Sequence, residues 1–134
     1  MTRLHFHPVR GKDNEIVETI LRTEEVASLG DKLGGIHLAV VELVSNIEQY
    51  AYTDGDNDYL DIEIERDERH ITLCFRDGGV PFNPLELDPP DISLPMSERQ
   101  LGGLGIFLVI KKMDAIAYEY THGENVLTIT MNTN

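Results

Sequence analysis

His70-Ile-Thr-Leu-Cys-Phe-Arg-Asp77-Gly-Gly-Val-Pro-Phe82 is the stretch on which the reading of this chain turns. Its first seven residues carry an apolar run, Ile71 to Phe75, of the length and β-branched and aromatic character of a strand. The run stops at Asp77-Gly78-Gly79. If the strand is central, the carboxylate stands at a sheet end, beside glycines that let backbone approach a ligand closely. On its own this is also how an ordinary Asp-Gly turn reads.

Upstream, Tyr59-Leu-Asp-Ile-Glu-Ile-Glu65 alternates with a period of two, the mark of a strand with one wet face. The polar residues 66 to 69 join it to the first strand as an antiparallel hairpin. A polar turn over 53 to 58 precedes it. Before that turn, Leu33, Ile36, Ala39, Val40, Leu43, Val44 and Ile47 form an apolar stripe at helical spacing, capped by Asp31 and reaching about Tyr50. A further helix is expected from Asn14 to about Ser28, closed by Gly30, with Gly11 to Asn14 as its turn and cap. Residues 3 to 8 read as an edge strand ending at Pro8. Downstream, residues 83 to 101 hold four prolines and no usable periodicity, and a loop of this length inside a compact domain is uncommon and often a lid or binding loop. A helix from Gly103 to Met113 and a last hairpin around His122-Gly123 complete the chain.

Two more patches carry chemistry. Glu42 and Asn46 are four apart on the predicted helix, so their side chains project from one face and converge on one ligand. Taken alone, the pair equally describes a locally satisfied Asn and a surface Glu. Gly102-Gly103-Leu104-Gly105 opens an apolar helix, where free backbone amides favour phosphate, or forms a flexible hinge for the loop before it.

Composition bounds the function. The 134 residues fit one domain, and 24 acidic against 11 basic side chains give a formal charge of −13, which argues against nucleic-acid binding. No segment approaches the roughly 20 apolar residues of a membrane span. The start, Met1 to His7, lacks the features of a secretory signal, so a cytoplasmic protein is expected. The lone Cys74 reads as a buried packing thiol. His5 and His7 share a strand face but lack a third metal ligand. The acidic excess reads as a solvated face.

Glu42-Leu-Val-Ser-Asn46, Asp77-Gly-Gly-Val-Pro-Phe82 and Leu101-Gly-Gly-Leu-Gly-Ile-Phe-Leu108 together resemble the asparagine box and two glycine boxes of the GHKL (Bergerat) ATP-binding domain of histidine kinases, type II topoisomerases and heat-shock chaperones. Length and the phrase Glu42-Xaa3-Asn46-Xaa3-Tyr50-Ala-Tyr52 are most similar to the anti-sigma-factor serine kinases. The resemblance implies an α+β fold: a two-layer α/β sandwich, a mixed, mostly antiparallel sheet with helices on one face, spanning 1–134 with a lid at about 83–101. It implies that Asn46 coordinates Mg2+ on the ATP phosphates, that Glu42 is general base toward a serine hydroxyl, and that Asp77 binds the adenine amino group. Gly79 would admit the base, Gly103 and Gly105 would contact phosphate and hinge the lid, and Arg99 would be the basic phosphate contact, since Leu101 stands where many members carry a basic residue. Tyr50 replaces a usual His, and Ile47 a usual small residue. The implied partners are an anti-anti-sigma (STAS-domain) protein, a sigma factor and a second copy of the chain. The alternative is a nucleotide-dependent binding module with weak or lost kinase activity.

Overall fold

Alternating side chains give the sheet one dry face, and the helices cover it. In the computed structural model, residues 1–51, 58–86 and 103–133 are described, with the backbone alone at 50, 51, 103 and 104. Five strands, β1 (Thr2–Phe6), β2 (Leu60–Arg66), β3 (His70–Asp77), β4 (Ala115–Thr121) and β5 (Glu124–Asn132), form one sheet in the order β1-β2-β3-β5-β4. Every described pairing is antiparallel, so the α+β sandwich has no parallel neighbours among these strands. β3 is the middle strand. Both β3 and β4 run antiparallel to β5, so the connection between them crosses over β5 and carries a helix on the way.

The helices are α1 (Asp13–Leu21), α2 (Glu24–Ala27), α3 (Leu33–Asn46) and α4 (Gly103–Lys112). Leu60, Ile62 and Ile64 of β2, and Ile71, Leu73 and Phe75 of β3, face them and are fully or almost fully buried. Ile36, Val40, Leu43 and Val44 of α3 and Ile106 and Val109 of α4 enter the same core. α3 packs against both α1 and α4.

Several expectations are corrected. The helix from Asn14 to Ser28 is two helices, because Thr23 is extended (φ −64°, ψ 148°) and its hydroxyl donates to the Ile20 carbonyl at 2.7 Å. Side-chain bonding to nearby backbone competes with the helix ladder there. Lys12, with no side-chain capping bond, takes the N-cap of α1 after the Gly11 turn (φ 75°). Asp31 does not cap α3: a 3-10 turn over Gly30–Lys32 runs directly into it. At its other end α3 passes into a π turn, Ile47–Ala51. Cys74 is half-buried on the open face of the sheet, opposite Glu63 and Thr128, because strand parity points it away from Leu73 and Phe75. His5 bonds through its ring to Asp61 across the β1–β2 pair, and no group of three or more metal-ligating side chains occurs among the described residues. No helix among them is long and apolar enough to cross a membrane.

Candidate nucleotide site

Strand parity decides where Asp77 points. Ile71, Leu73, Phe75 and Asp77 lie on one face of β3, so the carboxylate takes the next inward position and turns under the helix layer. It is 3% exposed. Its Oδ1 accepts the Gly79 amide N–H at 3.0 Å and the Asn125 side-chain amide at 2.9 Å. Burial raises the pKa of this carboxyl above the ordinary range; the bonds from Asn125 and Gly79 pull it down, and the charge of Glu124 pushes it up.

Asn46, on the last turn of α3, faces the same cleft. The two side chains share its wall with Leu43, Ile47, Phe82 and Leu127. Asn46 is buried, and its Nδ2 has no hydrogen-bond partner among the described residues. A buried amide left unpaired costs free energy comparable to a lost hydrogen bond. Rotating this amide by half a turn presents Oδ1 in the same place, a hard oxygen donor of the kind Mg2+ takes. The residues therefore fit the implied metal.

One turn earlier, Glu42 is half-buried, and its carboxylate lies against the first turn of α4. A Cβ on Gly105 would fall onto that carboxylate, so the missing side chain is what admits it. Gly78 has a different neighbour. A Cβ there would stand 2.5 Å from the ring of Tyr59, whose hydroxyl donates to Glu124 at 2.6 Å.

The fold thus brings Glu42, Asn46, Asp77, Gly79 and Gly105 to one end of the sheet, and Gly103 starts α4. Arg99, Leu101 and the expected lid from residue 87 onward lie outside the described residues, as does the side chain of Tyr50. Sequence reasoning missed Asn125 and Tyr118. Asn125 is 4% exposed, pairs with Asp77 across β3 and β5, and accepts from the Tyr118 hydroxyl. Its signal was present: in Asn125-Val-Leu-Thr-Ile-Thr-Met131 it holds the inward parity of Leu127, Ile129 and Met131.

Residues 9–131 match the sequence profile of the histidine kinase-like ATPase domain. The chain belongs to that family. Among characterised relatives it is 28% identical over 93 residues to the serine/threonine-protein kinase BtrW of Bordetella bronchiseptica, a match covering 69% of this chain and 66% of that protein. It is 30% identical over 101 residues to the serine-protein kinase RsbW of Bacillus mycoides, covering 72% of this chain and 62% of that protein. The chain therefore spans just under two thirds of the length of these relatives. Among solved structures, the mycobacterial sensor histidine kinase MprB superposes with a TM-score of 0.53 at 15% identity, over 98% of this chain and 97% of that one, a likeness of fold.

Proposed function

We propose that this histidine kinase-like domain binds ATP with Mg2+ and transfers the γ-phosphate to a serine of a small anti-anti-sigma (STAS-type) partner. One observation carries the reading: a buried amide with an unpartnered end, Asn46, and a buried carboxylate, Asp77, wall one apolar cleft from separate elements. Asp77 accepts the adenine amino group, and Gly79 leaves the base room. Asn46 holds the metal. Mg2+, when bound, neutralises charge on the phosphates and orients them. Glu42 takes the serine proton as the serine oxygen bonds to the γ-phosphorus, the bond to the β–γ bridging oxygen breaks, and ADP leaves. The serine-kinase names of BtrW and RsbW support this chemistry; a homodimer, a sigma factor as second partner and a cytoplasmic setting belong to the same proposal.

Transfer of labelled γ-phosphate to a purified anti-anti-sigma partner tests the proposal. Glu42→Ala should slow transfer about 100-fold or more while ADP affinity holds. Asn46→Ala should abolish the Mg2+-dependent part of nucleotide affinity. Wild-type transfer rates in Glu42→Ala would remove its role. A second reading, a nucleotide-dependent binding module without turnover, is favoured by Ile47, a large apolar side chain in the cleft wall beside Asn46. Nucleotide binding without transfer to any partner would select it.

A further inference from the structure

Asn125 has no hydrogen-bonding capacity left for a ligand. A side-chain amide offers two N–H donors and two acceptor positions on its oxygen. Here the nitrogen donates to Asp77 Oδ1 at 2.9 Å and to the Val80 carbonyl at 2.8 Å, with the Gly79 carbonyl at 3.5 Å. The oxygen accepts from the Phe82 N–H at 3.0 Å and from the Tyr118 hydroxyl. The orientation is determined by its partners, since turning the amide over would set its oxygen against a carboxylate and a carbonyl.

The consequence falls on Asp77. Its Oδ1 is engaged by Asn125 and by the Gly79 N–H, whereas Oδ2 has no hydrogen-bond partner among the described residues. An ionised carboxylate oxygen only accepts, so it rewards a ligand donor and repels a ligand carbonyl. The same asparagine ties down the backbone at Val80 and Phe82 as the chain leaves the sheet. Behind it, Tyr59 braces Gly78 and bonds to Glu124, the residue before Asn125.

We infer that Asn125, held by Tyr118, is a positioning residue for base selectivity: it engages Asp77 Oδ1 and the 79–82 backbone so that Oδ2 is presented to an exocyclic amine on a purine. This rests on the reading of Asp77 as the base contact. Asn125 itself touches no ligand.

Affinities of the full chain for ATP and for purine riboside triphosphate, which carries hydrogen in place of the amino group, test the inference with no dependence on turnover. The wild type should prefer ATP by about tenfold or more, the worth of one buried charge-assisted hydrogen bond. Asn125→Ala should reduce the preference to about twofold or less while the affinity for the purine analogue changes by less than about threefold. Tyr118→Phe deletes one oxygen atom from a half-buried ring and should shrink the preference in the same direction by a smaller factor. Retention of the full preference in both variants overturns the inference. So does an equal loss of both nucleotides, which marks damage to the fold or a direct contact with the base. A wild type that binds both nucleotides equally removes the Asp77 reading itself, a failure distinct from the others.

Discussion

Asp77 is held ionisable in a place that resists charge. Its raised pKa means that the folded state binds the proton more tightly than the unfolded chain does. Stability therefore falls as pH rises from about 4, the unfolded range, through the raised native value, and the loss is complete above that value. Asp77→Asn should raise the melting temperature at neutral pH, lose that advantage below about pH 4, and weaken ATP binding about tenfold or more; melts across pH and calorimetric titration check both. Gly105 and Gly78 make a contrasting pair. A methyl at 105 meets the free end of the Glu42 side chain, which can rotate away. Gly105→Ala should leave stability nearly unchanged and lower the transfer rate, because the displaced carboxylate no longer stands beside α4. A methyl at 78 meets a tyrosine ring that is held at its hydroxyl and cannot yield. Gly78→Ala should cost about 1–3 kcal/mol of stability, measured by urea unfolding.

At the scale of elements, the site is assembled from ends: the last turn of α3, the last residue of β3, the first residues of β5 and the first turn of α4. The π turn that follows Asn46 is of a kind frequent at functional sites. The hairpin joining β4 to β5 sets the register that brings Tyr120 opposite Asn125, and the β3–β5 pairing puts the same asparagine opposite Asp77. Both its turn residues are left-handed, His122 at φ 54° and Gly123 at φ 78°, as a two-residue turn between twisted strands demands. Gly123→Ala should cost about 1 kcal/mol, whereas His122→Asn, which suits this backbone better, should not lower the urea midpoint. Asp58 makes a similar tie at the same end of the sheet, toward its β1 edge: its buried carboxylate accepts the Val9 N–H at 2.8 Å and anchors the link from β1 to α1.

For the whole molecule, one apolar layer between sheet and helices carries stability while the excess negative charge opposes it. Phe75 lies at the centre of that layer, 1% exposed on the middle strand. Phe75→Ala should cost about 3–5 kcal/mol and lower the signals of helices and strands in one transition. The formal charge of −13 makes the folded state self-repelling, and the surface ion pairs, such as Arg3 with Glu63 at 3.9 Å, offset little of it. Raising salt from about 20 to about 500 mM should increase the melting temperature, because screening over a few ångströms relieves repulsion more than it weakens exposed pairs. A decrease would point to ion pairs as net stabilisers.

Elements with strong periodicity were legible in the residues themselves: the alternation of β2 and β3, the stripe of α3 and the turn at His122-Gly123 follow from local side-chain spacing. So was the identity of the three patches, since order and residue type are properties of the chain. Parity carries further information in the chain. It assigns Cys74 to the open face, Asp77 to the dry one and Asn125 to the position beside it. The break at Thr23 and the uncapped start of α3 were not legible, because local propensities there are nearly balanced and contacts with the core decide. Above all, no local pattern brings Asn125, 48 positions away, onto Asp77, or lays Glu42 in the space left by Gly105. Those contacts depend on the order of strands in the sheet and on the crossing of α4 over α3, which non-local burial selects and only the folded chain contains.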